Sequence, residues 1–202
     1  MPVNYADAIV EWADGTTTLL ELFKLKLGVD TSDRDEELSM YLDMAARACE
    51  QYIDNKLVAQ EVTERFRQSR SPVGLRYWPA QDLTSVLIDG EEKVDSWEMI
   101  SEDGITYSLN NRCGNSLSCC FEQMLIVYTA GYDPVPSDAA IAIIATALNY
   151  EQQTGASGQI KKEVVNGVGS IEYVTDSDSQ GSVGAMSGAA IGALEPYRRW
   201  HV

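Results

Sequence analysis

The first clear pattern is a cluster of apolar positions at Leu19, Leu20, Leu22, Phe23, Leu25 and Leu27, which stops at Gly28. It predicts a short helix closed by a glycine C-cap. In the next stretch Leu38, Tyr41, Leu42, Ala45, Cys49, Tyr52 and Ile53 recur at steps of three and four. That spacing predicts an amphipathic helix from about residue 33 to Asn55. Ser32 with Asp35 resembles a capping box, and Asp33, Asp35, Glu36 and Glu37 crowd the first turn, where the helix dipole favours acids.

From Val62 to Tyr128 the periodicity changes. Short β-rich runs (VTERF, LRYW, SVLI, ITYS, LSCCF, MLIVYT) are separated by Ser-Pro, Asp-Gly and Asn-Asn signals, which predicts an antiparallel β region. Asp89-Gly90 and Asp103-Gly104 are suited to the positive φ of tight hairpin turns. After AGYDPVPSD, residues 139–148 are apolar on nearly every face, so a helix there has to be covered on more than one side. Pro136 and Ser137 stand where such a helix would begin, and Gly155 follows its end. An Asn-Gly between two β-branched runs marks a hairpin in residues 160–175, and the small, polar residues 176–190 read as a linker.

These elements predict an α+β fold: a helical core of three to four helices, an antiparallel β-rich insertion and an extended C-terminal arm. The expected divisions are 1–61 (helical part of the core), 62–130 (β insertion), 131–156 (apolar core helix), 157–175 (β-hairpin), 176–190 (flexible linker) and 191–202 (arm). No internal repeat is present. The apolar helix leaves two readings open. Ile141, Ile143, Ile144 and Leu148 contribute to packing between subunits, or the helix is buried between the insertion and the capped helix.

Composition adds a constraint on partners. With 45% hydrophobic residues in 202, the chain can bury a sizeable core. No apolar run reaches the roughly 18 residues that span a bilayer, and the N-terminus has neither a basic region nor a continuous apolar stretch, so a soluble, unexported protein is expected. Fifteen basic against 31 acidic residues leave a net charge of −16. Conventional duplex-DNA binding is disfavoured, because phosphates need lysines and arginines to displace their counterions. An acidic surface serves solubility; if the chain forms a ring through which DNA must slide, an acidic wall would also keep the polymer from sticking.

Catalytic chemistry finds little support. The single histidine, His201, is one residue from the end, where proton transfer is poorly oriented. Cys49, Cys113, Cys119 and Cys120 form no Cys-x-x-Cys pair and read as free thiols. Asp176, Asp178 and Gly181 imitate the start of a calcium loop, but Gln180 and Ser187 stand where ligands are needed. There is no GxxxxGK[ST] loop, and Gly167-Val-Gly169 belongs to a hairpin. No cofactor or metal is expected. Tyr197, Arg198, Arg199 and Trp200 instead combine aromatic and cationic groups of the kind enriched at interface centres, the other reading being that Trp200 folds back on its own core.

The order of pieces is similar to a known family. LKLGVD, the capped acidic helix DEEL…AARACEQYI, the phrase VYTAGYDPVPSDAAIAIIATALNYEQ and the terminal LEPYRRW resemble the head-to-tail connector (adaptor) proteins of tailed bacteriophages. YTAGYDPVPSD and PYRRW carry most of the likeness, and the strand-rich middle matches less well. The resemblance implies a non-enzymatic structural protein of the virion neck, assembled in the host cytoplasm. It implies a homo-oligomeric ring, usually of twelve subunits, docked on the portal through Tyr197, Arg198, Arg199 and Trp200. A tail-side neck or tail-completion protein would bind below, DNA would meet the ring only in passage, and no membrane would be involved. The alternative reading is an acidic protein-binding module that recognises a host or virion protein through its β insertion without forming a ring.

Overall fold

The computed structural model describes residues 3–12, 15–67, 73–101, 107–111, 123–155, 162–165, 169–172 and 186–199. The fold is α+β and divides into two compact units. One contains residues 1–3 and 55–133, the other residues 4–54 and 134–202, so the first is largely an insertion in the chain of the second.

The helical unit begins with a 3-10 turn, Tyr5–Asp7, and an antiparallel hairpin of β1 (Ile9–Trp12) and β2 (Gly15–Thr18). Helix α1 (Leu19–Leu27) follows directly. Its N-terminus is held by a reciprocal capping box: Glu21 N–H donates to the Thr18 hydroxyl, and Thr18 N–H donates to the Glu21 carboxylate. The Thr18 N–H, together with the Thr17 hydroxyl that also donates to this carboxylate, holds the Glu21 carboxyl below its usual pKa. Gly28, at φ 69°, closes the helix in the left-handed conformation that the apolar cluster and its glycine predicted.

Helix α2 (Asp35–Ile53) buries Leu38, Leu42, Ala45, Cys49 and Ile53 along one stripe, as the spacing predicts. Its start differs. The N-cap is Arg34, without a side-chain cap bond, and the expected Ser32–Asp35 capping box does not form. Asp35 is instead drawn to Lys24 Nζ at 2.7 Å, an ion pair that ties α2 to α1. Arg34 bonds Glu37 at 2.9 Å and Glu151 at 3.0 Å. Helix α3 (Ser137–Gly155) meets α2 through its alanine-rich face, where Thr146 Oγ1 lies 3.8 Å from Cys49 Sγ in the buried seam. Thr146 also donates to the Ala142 carbonyl at 2.8 Å, so its buried hydroxyl is satisfied. Buried Glu50 likewise accepts from the Tyr5 hydroxyl at 3.0 Å. An antiparallel pair, β10 (Lys162–Val165) and β11 (Gly169–Glu172), precedes α4 (Gly188–Leu194).

Among its described residues the β unit holds two antiparallel sheets. In one, β3 (Gln60–Phe66), β9 (Met124–Ala130), β5 (Ala80–Ile88) and β6 (Glu91–Glu92) pair in the order β3-β9-β5-β6. In the other, β4 (Val73–Gly74), β8 (Tyr107–Asn111) and β7 (Trp97–Ser101) pair in the order β4-β8-β7. The central strand β9 alternates strictly, sending Met124, Ile126, Tyr128 and Ala130 into a core with Val86, Trp97 and Leu109. The β5–β6 turn uses Asp89 (φ 50°) and Gly90 (φ 88°), both in the positive-φ region anticipated for that dipeptide.

The run LRYW does not form the expected strand. The backbone N–H groups of Arg76, Tyr77 and Trp78 donate to Glu64, to the Tyr128 hydroxyl and to Asn55, leaving none of the three for a ladder. Asn55 is buried and also donates to the Trp78 carbonyl at 2.8 Å, so its amide replaces a neighbouring strand. The strand expected at LSCCF and the turns expected at Asp103-Gly104 and Asn166-Gly167 lie outside the described residues.

Candidate assembly surfaces

Helix α1 carries more leucine than one face can bury. Leu19 and Phe23 point into the core, while Leu22 is half-buried and Leu25 is 78% exposed. Helix α3 is divided in the same way. Ala139, Ala142, Ile143 and Thr146 form its buried face, and Ile141, 51% exposed, lies opposite them with the half-buried Leu148. The two outward stripes flank a groove of about 530 Å³, lined by Leu22, Leu25 and Lys26 from α1 and by Ile141, Ile144 and Leu148 among others from α3. Of the four apolar-helix residues singled out in the sequence, three thus line this groove and the fourth, Ile143, is fully buried within its own subunit.

A second apolar surface lies on α2. Met40 (51% exposed) and Met44 (42% exposed) are one turn apart on the side away from Leu38, Leu42 and Cys49. Leu22 and Leu25 belong to the leucine cluster that predicts α1, but neither they nor Met40 and Met44 were anticipated as an outward apolar surface. A signal was present: two methionines spaced i,i+4 on an otherwise polar helix face, and leucines at 22 and 25 outside the stripe that buries Leu19 and Phe23.

The C-terminal segment turns back on the helical unit. Leu194 of α4 is fully buried, and a 3-10 turn, Glu195–Tyr197, brings the following residues to α2 and α3. Tyr197 donates its hydroxyl to Asp138 Oδ1 at 2.5 Å. Tyr52 donates to Glu195 Oε1 at 2.9 Å, and the Arg198 guanidinium stacks 5.2 Å from the Tyr52 ring centre while reaching Glu195 at 3.4 Å. Burial, with the Glu195 contact adding to it, raises the Tyr52 pKa. Arg199 N–H donates to the Ile53 carbonyl at 2.8 Å, satisfying a carbonyl left over at the end of α2. Tyr197 and Arg198 are therefore engaged within the unit. Trp200, His201 and most of the expected linker 176–190 lie outside the described residues, and residues 188–190 begin α4.

Among the described residues every buried side-chain nitrogen or oxygen has a hydrogen-bond partner, and no three of His, Cys, Asp and Glu are placed to hold a metal. No helix there is long and apolar enough to cross a membrane.

Residues 17–77 match the family described as Phage gp6-like head-tail connector protein. They span β2, α1, α2 and the first strands of the β unit, under a third of the chain. No curated protein matches the sequence. Among solved structures, the chain is similar to the neck of an empty GTA particle computed with C6 symmetry, with a TM-score of 0.63 and 18% identity over 91% of this chain and 90% of that one. It is similar also to the neck of a native GTA particle computed with C12 symmetry (TM-score 0.62, 16% identity, 91% and 89% covered). A third match is the virion of a native gene transfer agent (GTA) particle (TM-score 0.62, 17% identity, 91% and 90% covered). At these identities the likeness establishes a shared fold across nearly the whole chain, helical unit and β unit alike.

Proposed function

We infer that this chain is a structural head-to-tail connector of a tailed-phage-like particle, a neck subunit that forms a ring beneath the portal and carries no enzymatic activity. The observation that carries the reading is the connector-family match over residues 17–77, and the neck-like fold of the remainder supports it. The ring has twelve subunits in this reading, in keeping with a neck of C12 symmetry among the similar structures. Ile141, Ile144 and Leu148 supply subunit contact through the α1–α3 groove. The C-terminal Tyr197–Trp200 segment faces the portal, with Tyr197 and Arg198 anchoring it to the helical unit and Arg199 and Trp200 following. A tail-side neck or tail-completion protein binds the opposite rim.

The charge suits the task. A net −16 per subunit puts a strongly negative field around any channel that the ring encloses, so DNA phosphates in transit meet repulsion and few fixed cations. Assembly takes place in the host cytoplasm, and the finished location is the virion neck.

The test is genetic and structural. Deleting the gene from the producing genome should give DNA-filled heads that lack tails or leak DNA, and supplying the chain in trans should restore tailed particles with a ring of it at the neck. Tailed, stable particles made without the chain would overturn the reading.

A further inference from the structure

We propose that the α1–α3 groove of one subunit receives the Met40–Met44 ridge of the next, so that copies of this chain join head to tail through two different surfaces of the helical unit. The inference rests on the connector reading above and names the partner of its groove.

Three observations carry it. The first is exposure. Among the described residues the exposed large hydrophobics are Ile9, Leu25, Met40, Met44 and Ile141, and four of these five fall into two patches, the groove and the ridge. Apolar side chains gathered in this way mark contact surfaces, whereas scattered single ones do not.

The second is direction. Cys49 and Thr146 meet at 3.8 Å in the seam between α2 and α3, so the buried faces of the two helices are turned towards each other. On α2, Met40 and Met44 lie on the side away from Cys49. On α3, Ile141 and Leu148 lie on the side away from Thr146. The two patches therefore look outward from opposite sides of the same helix pair. A twelve-fold ring turns each subunit by only about 30° from the last, which requires the two contact surfaces of a subunit to be nearly opposite. A two-fold dimer would instead need one self-complementary patch.

The third is complementarity. Lys26 lines the groove in a chain with 15 basic and 31 acidic residues. Glu36, exposed one turn before Met40, lies on the ridge side of α2 and would meet that lysine. Methionine is unbranched and polarizable, which fits it to an irregular leucine- and isoleucine-lined groove.

The experiment uses the full chain, native mass spectrometry and two single variants, Leu25→Glu in the groove and Met44→Glu in the ridge. Both positions are exposed, and unchanged circular dichroism checks folding. Met44→Gln replaces the second variant if Met44→Glu unfolds. Wild type should form multimers, and each variant alone should be monomeric. The Leu25→Glu subunit still has a sound ridge and the Met44→Glu subunit a sound groove, so their equimolar mixture should give a heterodimer of twice 22.2 kDa and nothing larger. The inference is overturned if Met44→Glu assembles like wild type, if the mixture stays monomeric, or if wild type is monomeric at every soluble concentration. A monomeric wild type that still restores tails to deletion particles would overturn this contact and leave the connector reading standing. Tailed particles made without the gene would overturn the connector reading itself.

Discussion

Gly131 stands where both the backbone conformation and the space around it require a glycine. Its φ is 108°, and a Cβ built there would lie 2.4 Å from the Val58 carbonyl oxygen, while its own N–H donates to the Pro79 carbonyl. Backbone packs on backbone, so neither neighbour can yield by turning a side chain. Gly131→Ala should lower the stability of the β unit by about 2 kcal/mol or more, read as a drop in urea midpoint with an unchanged slope. Cys49 gives a second test at this scale. Burial raises its thiol pKa from 9.0 to about 11, with the Thr146 hydrogen bond opposing the shift. An acid whose pKa is raised by folding contributes stability below its unfolded value and loses it as pH climbs through the folded value. Stability should therefore fall between pH 9.0 and about 11, and Cys49→Ala should flatten that part of the curve. In native protein at neutral pH, iodoacetamide should leave the Cys49 peptide unmodified until urea unfolds the chain.

At the scale of elements, α3 carries a buried and an exposed apolar face on one helix. Ile143 is fully buried and Ile141 half exposed, two residues apart and on opposite sides of the axis. Ile143→Asp places a charge in the α2–α3 core and should unfold the helical unit, at a cost of several kcal/mol. Ile141→Asp should leave the melting temperature within a few degrees of wild type and abolish multimers. If Ile143→Asp melts normally, the division of faces described for α3 is wrong. The C-terminal segment behaves as part of the same unit, since Leu194 is buried and Tyr197, Arg198 and Arg199 bond to Asp138, Glu195 and the Ile53 carbonyl. Removing residues 191–202 should consequently lower the melting temperature. A truncated chain with wild-type stability would show that these contacts add nothing to the fold.

For the whole molecule, the net charge of −16 governs encounters with other polyanions. Duplex DNA mixed with the purified chain should show no retained complex by gel shift even at low ionic strength, where residual attraction would be least screened. Tight binding that weakens steeply with added salt would count against an acidic passage. The same charge would oppose association of copies of this chain at long range, so any such assembly has to rest on apolar contact.

Much of this architecture was legible in the residues because its causes are local. Gly28 after a leucine cluster, the three- and four-residue steps of α2, the alternation of β9 and the Asp89-Gly90 turn each express a constraint that the backbone imposes within a few residues. The mixed α+β class followed from their order. Other features depended on partners distant in sequence. Lys24 takes the carboxylate of Asp35 that a capping box would have used, and Glu64, Tyr128 and Asn55 take the N–H groups that would have made LRYW a strand. On α3, composition announced an apolar surface wider than one core contact could cover. Which side is core and which is groove was decided only when Cys49 met Thr146 and α1 came to lie beside Ile141, because periodicity counts the faces of a helix and long-range packing chooses among them.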